Sequence, residues 1–247
     1  MIGAAVVVIA AATGTAVFLL RDNENATSCV AAPSSVDVTE GTSSQLKTVQ
    51  IGFTQLGNTV SIGAVLENTS TKVAYRAQVT FAVLGADAKP VSTSNQLALE
   101  IPVILPGEQI PVGSWGYADG TVSKVAIAPG QVQWAAPADN LASVTADFVS
   151  MARTSEPQSG GISYIASSPY CQALTPRGVA MVFRNSDGTI AGGSFEVGAE
   201  TCSPGAATGR AMAQSSIPAG IDETKTQVKP FCDFAVGGPK SSGKPFN

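Results

Sequence analysis

In the stretch AYRAQVTFAVLG, residues 74–85, Tyr75, Ala77, Val79, Phe81 and Val83 alternate with Arg76, Gln78, Thr80 and Ala82. A period of two belongs to an extended strand, which sends successive side chains to opposite faces. It predicts one core-facing set and one set turned toward water. TVSIGAVLEN carries the same signal, with Val60, Ile62, Ala64 and Leu66 set against Ser61, Gly63, Val65 and Glu67. LALEIPVILPGE continues it through Leu97, Leu99, Ile101, Val103 and Leu105. Its Pro102 cannot donate to a ladder, so it predicts an edge strand or a bulge. The segments between these runs, ENTST, GADAKP, LPGE and IAPGQ, have turn chemistry.

The pattern recurs. At a shift of 100 residues Ile62–Val65 falls on Ile162–Ile165, Val79, Phe81 and Val83 fall on Val179, Met181 and Phe183, and Ala86–Asp87–Ala88 falls on Ser186–Asp187–Gly188. At a shift of 98, Leu105, Pro106 and Gly107 fall on Ser203, Pro204 and Gly205. A repeat of short strands near this length predicts an all-β chain of two tandem β-sandwich domains, residues 46–136 and 141–236, with the boundary in APADN. Only 13% of residues are charged and 6% aromatic, while Ala, Gly, Val, Thr and Ser abound, which suits short strands and small-residue turns better than amphipathic helices. A net charge of −4 without a basic run argues against nucleic acid or anionic lipid bound through a charge patch.

Met1 to Leu20 is apolar or small throughout, and Arg21 is the first charged side chain. About 20 such residues cross a bilayer as a helix, whereas signal-peptide cores are shorter and follow a basic region. Residues 1–20 therefore read as a transmembrane anchor. A cleaved signal and a lipidated Cys29, which follows Ala26, Thr27 and Ser28, are the alternatives. The polar stretch 21–45 reads as a linker, and residues 237–247 as a flexible tail.

The four cysteines, Cys29, Cys171, Cys202 and Cys232, all follow the apolar segment and form no C-x-x-C pair, and the chain has no histidine. Metal ligation is thereby disfavoured and disulfides in an oxidising compartment are expected, at least one joining two of the last three cysteines. The sequence leaves the pairing open.

With VLENTSTKVAYRAQVTFAVLGAD in the first copy and GVAMVFRNSDGTIAGG followed by CSPGA in the second, the chain resembles FxLYD-type immunoglobulin-like domains of bacterial membrane-anchored envelope proteins. The resemblance implies immunoglobulin-like sandwiches with a binding or spacer role and no catalytic residues. The first copy departs from the motif by Gly85 and Ala86 before Asp87, and the second has SSPYC where the first has its Asn turn.

Chemistry-bearing motifs are few. GGPKSSGKPFN matches a phosphate loop at Gly238, Gly243 and Lys244, but Pro245 stands where the metal-binding hydroxyl belongs, so the match reads as part of the flexible tail. The S-x-x-K spacings Ser44–Lys47 and Ser241–Lys244 have no partner motifs. Without histidine, Ser-His and Cys-His catalysis are excluded. The carboxylate pairs Glu196 with Glu200 and Asp222 with Glu223 read as solvated surface, and the sequons at Asn25 and Asn68 as turn residues. GSWGYADG sets Trp115 and Tyr117 in a Gly-rich stretch, where they could form a contact patch or pack into the core; Trp134 is the other tryptophan.

The expectation is a single-pass protein with its body outside the cytoplasm: a structural or interaction protein of the cell envelope, with no cofactor and other envelope or membrane proteins as partners. The alternative is an extracytoplasmic hydrolase or transferase that uses carboxylates, which would need titratable groups gathered in a cleft.

Overall fold

A computed structural model describes residues 29–93, 98–154, 160–198 and 202–234. The apolar segment 1–20 and the tail 237–247 lie outside the described residues, as do Leu97 and Glu200. The alternating segments are strands, and the described residues are all-β apart from two 3-10 turns, Ser43–Gln45 and Glu223–Lys225. In chain order the strands are β1 (Val38–Thr42), β2 (Leu46–Leu56), β3 (Thr59–Asn68), β4 (Val73–Leu84), β5 (Ala98–Ile104), β6 (Gln109–Tyr117), β7 (Lys124–Pro129) and β8 (Gln131–Ala135). After a connector over residues 136–144 come β9 (Thr145–Arg153), β10 (Gly160–Ser168), β11 (Thr175–Arg184), β12 (Ile190–Glu196), β13 (Gly205–Ala213) and β14 (Gln227–Asp233).

All ladders between these strands are antiparallel. One sheet runs β1-β8-β4-β5 with β7 also on β4, and a second runs β2-β3-β6. The other two are β13-β10-β9 and β12-β11-β14. The internal repeat is visible in this topology. β3 and β10 each sit central in their sheets, β4 and β11 likewise, and both Pro-Gly turns lead into corresponding strands, β6 and β13. Each pair of sheets encloses a core: Ile62, Leu66, Val79, Phe81, Ile101 and Val112 in the first, Ile162, Tyr164, Val179, Met181 and Phe183 in the second.

The turns after β4 and β11 also correspond. The Asp87 carboxylate accepts from the Lys89 amide at 3.1 Å, and that of Asp187 from the Thr189 amide at 2.9 Å. The residue after each aspartate is left-handed, Ala88 at φ 60° and Gly188 at φ 86°. An L side chain costs about 1–2 kcal/mol there, and glycine's greater freedom in the unfolded chain returns about 0.4–1. Ala88→Gly is therefore expected to raise stability by roughly 0.5–1 kcal/mol, read as a higher urea midpoint at unchanged slope. A lower midpoint would contradict this account of the turn.

Four expectations change. The linker read over 21–45 is not one from residue 29 onward: Cys29 is bridged to Cys171, Val36 and Val38 pack on a core, and β1 pairs with β8. IAPGQ does not reverse the chain, because β7 and β8 both pair with β4 on either side of Gly130, whose amide donates to the Gln78 carbonyl at 3.1 Å. The alternation in β4 slips by one at Arg76, a non-glycine residue at φ 49°, so that Ala74 and Ala77 enter the first core while Tyr75 enters another. β5 slips alongside it, Ile101 and Ile104 facing the first core and Val103 facing Tyr75. Pro102 stands at that slip on a terminal strand of its sheet, as its missing amide requires.

The fourth change matters most. Ser61, Gly63 and Val65, read as facing water, are buried beneath β12. Gly52, Gly63 and Gly113 lie directly opposite one another across β2, β3 and β6, forming a row without side chains. β12 crosses that row. A methyl group built on Gly52 would lie 1.9 Å from the Ile190 carbonyl oxygen, one on Gly63 2.2 Å from that of Gly192, and one on Gly113 2.1 Å from that of Ser194. Backbone thus meets backbone, far closer than the roughly 10 Å between ordinary stacked sheets. Glycine in a strand interior marks this kind of close approach.

Candidate functional site

The outer face of β2-β3-β6 is best followed row by row from the glycines. In the next row, Thr54, Ser61 and Trp115 stand opposite one another. The Thr54 hydroxyl donates to the Ala191 carbonyl at 2.7 Å and the Ser61 hydroxyl to that of Gly193 at 2.8 Å. Ser61 also accepts from the Gly193 amide at 3.0 Å. Hydroxyl groups here satisfy backbone groups of β12 that no neighbouring strand could reach. One row further on, Leu56, Thr59 and Tyr117 stand together. Leu56 is 45% exposed and Tyr117 44%, while Trp115 is half-buried. The Trp115 and Tyr117 rings meet edge to face with centroids 5.6 Å apart. Neither ring belongs to the apolar cores. The patch is an apolar step on the surface, mounted where one set of strands clasps the other. The sequence singled out Trp115 and Tyr117; Leu56 joins them only through strand register.

Two polar clusters hold the same clasp from β14. Asp233, 1% exposed, accepts from the Tyr75 hydroxyl at 2.9 Å, from Arg76 Nη2 at 3.0 Å and from Arg177 Nη2 at 2.6 Å. Burial, reinforced by the Asp233 charge, pushes the Tyr75 hydroxyl up to about 12. Burial works against the Arg76 charge, but Asp233, Tyr75 and Glu100 together outweigh it and raise the guanidinium above its ordinary range. Burial also raises Glu100, with Arg76 and Arg177 pulling it back. Four residues behind Asp233, Lys229 donates to Glu108 Oε1 at 2.9 Å and to Ser143 Oγ at 2.5 Å, and the Ser143 hydroxyl donates to Glu108 Oε1 at 2.6 Å. This joins the β5–β6 turn, the connector and β14 at one point.

The Ser143 proton is directed at Glu108 and Lys229 donates to both, so the group is a closed ion pair. The cavity beside it holds about 20 Å³, room for about one water. These seven side chains were not singled out as a site from sequence. The available signal was QVKPFCDF, where a lysine and an aspartate interrupt an otherwise apolar strand and so require buried partners.

The disulfides are Cys29–Cys171 and Cys202–Cys232. The first fastens the N-terminal segment beside Tyr170, with Val30 bridged to that residue, and the second lines the core containing Tyr75, Tyr170 and Phe234. Because Cys29 Sγ is engaged in a bridge, the lipidated alternative for that residue is overturned: a thioether cannot also be a disulfide. Asn68 is fully buried, its amide donating to the Lys72 and Ile104 carbonyls at 2.7 and 3.0 Å, and so it serves as a turn residue. Asp222 caps the turn Glu223–Lys225 through the Thr224 amide, and Glu223 lies 3.4 Å from Arg153 on the surface. Glu196 accepts from the Met212 amide at 2.6 Å. Ser44 and Lys47 are both exposed, and the motif residues 238–245 lie outside the described residues. Among the described residues no helix is long and apolar enough to cross a membrane. Also among them, no three Asp, Glu or Cys side chains are grouped to hold a metal ion.

No protein-family model matches the chain, and no curated protein matches it.

Proposed function

We propose that this chain is a membrane-anchored structural or interaction protein of the bacterial cell envelope, its two immunoglobulin-like sandwiches held outside the cytoplasm by residues 1–20. The correspondence of strand order between the two halves supports tandem sandwiches. The two disulfides support an oxidising compartment. One observation carries the functional reading: Leu56, Trp115 and Tyr117 form an apolar step at the surface of the sheet that β12 crosses. Half-exposed aromatics on a rigid strand are the residues from which interface anchors are made, since little entropy is lost when they bind. The partner is another envelope or membrane protein.

Trp115→Ala with Tyr117→Ala is expected to remove a partner that co-purifies from gently solubilised membranes, with a loss of at least tenfold in recovery, while the variant still unfolds in one cooperative transition. A variant that retains the partner, or one that is already unfolded, sinks the assignment of this patch. The intact mass of the purified protein checks the anchor: it is expected to begin at Met1, and a mature chain starting at Val17 would overturn retention.

A further inference from the structure

The sheet β9-β10-β13 stands in the second half where β2-β3-β6 stands in the first, and the 100-residue shift lays Ser61, Gly63 and Val65 on Gly161, Ser163 and Ile165. In the first half this face is covered, with Ser61 1% and Val65 6% exposed. In the second it is open, with Ile165 41% and Met212 42% exposed. We propose that the open face of β9-β10-β13 docks against the same face of a second copy of this chain.

Three observations carry this. First, the molecule already demonstrates the mode of contact, since the equivalent face is closed by a strand of the same chain crossing it at residues with little or no side chain. Second, the middle strand of the open face presents only small or aliphatic side chains, which leaves room for a second sheet. The rows of this face are Ala152–Gly161–Met212, Ser150–Ser163–Arg210 and Asp147–Ile165–Thr208, with no lysine and no side chain longer than serine or isoleucine along the middle strand. An exposed sheet face with Ile165 and Met212 among small side chains invites association. Third, its charges are self-complementary. Arg210 on β13 and Asp147 on β9 lie diagonally across β10, in neighbouring rows. A two-fold axis lying in the interface, perpendicular to the line joining them, sets each arginine over the partner copy's aspartate. That is the condition for a closed, isologous pair, and it crosses the strands of the two copies, as β12 crosses β2, β3 and β6. The Trp115 patch lies on another sheet, so this surface and the one proposed above stand or fall separately.

The test is the mass of the full chain in detergent by sedimentation equilibrium across concentration, corrected for bound detergent. The wild type is expected to reach a dimer. Arg210→Asp alone places like charges at both symmetric contacts and should weaken the dimer roughly tenfold or more. Arg210→Asp combined with Asp147→Arg restores opposite charges and should restore the dimer, and Ser163→Trp should block it by bulk alone. A wild type that stays monomeric, or a dimer indifferent to Arg210→Asp and Ser163→Trp, overturns the proposal; the latter result would place self-association elsewhere, as in the segment 1–20. Failure of the charge swap to restore a dimer lost in Arg210→Asp overturns the two-fold arrangement. Each variant's melting transition is recorded alongside, and the swap distinguishes loss of pairing from loss of folding.

Discussion

Gly113→Val is expected to destabilise the folded chain by about 3 kcal/mol or more, at or beyond the upper end of what overpacking normally costs. The reason is the identity of the atoms in the way. A methyl group at Gly113 would meet the Ser194 carbonyl oxygen at 2.1 Å and the Met181 carbonyl oxygen at 2.4 Å. These are backbone atoms of paired strands, so no rotamer change makes room, and β6 must separate from β11 and β12 together. Val65, Val182 and Ile190, which fill the remainder of that interface, would lose contact with one another. Gly161→Ala is the matched control: its nearest neighbour is the Met212 sulfur at 3.6 Å, an ordinary contact, and alanine should be tolerated there or favoured by about 0.5–1 kcal/mol. Urea unfolding of both variants provides the measurement. A Gly113→Val midpoint close to the wild type would mean that the strands do not approach as described.

Asp233→Ala should cost about 3–5 kcal/mol, the range found when one partner of a buried ion pair is removed. Its two arginines and the Tyr75 hydroxyl would lose the acceptor on which they converge. Burial already works against the charge of Arg76, which would then stand in the seam without this carboxylate. Replacing Asp233, Arg76 and Arg177 together by neutral residues should cost less than Asp233→Ala alone, because the uncompensated charges leave with their partner. If the triple variant proves the less stable, the cluster contributes net attraction and the desolvation argument is wrong. The same comparison addresses the clasp, since Tyr75 and Arg76 belong to β4 while Arg177 and Asp233 belong to β11 and β14.

Strand periodicity, turn chemistry and the internal repeat were legible one segment at a time, because side-chain direction along a strand is a local property. The same holds for Pro102 at a terminal strand, for the Asp87 and Asp187 turns, and for Trp115 and Tyr117 as neighbours on one face. Cysteine spacing implied bridges but could not choose among pairings, and Cys29–Cys171 spans 142 residues. Whether Ser61, Gly63 and Val65 face water or protein was beyond local pattern altogether. A sheet with one core face and one small-residue face reads alike whether the second face is solvated or covered, and the difference here lies in β12, more than 120 residues further along. The clusters at Asp233 and Lys229 show the same division. A charge inside an apolar strand announces a partner, but only the approach of β14 to β4 and to the β5–β6 turn selects Arg76 and Glu108. By itself the sequence determined that this chain forms short paired strands in two similar halves. The tertiary structure alone decided that the halves meet backbone to backbone along a glycine row, because that contact depends on the distant strand β12 reaching the row where Gly52, Gly63 and Gly113 lack side chains.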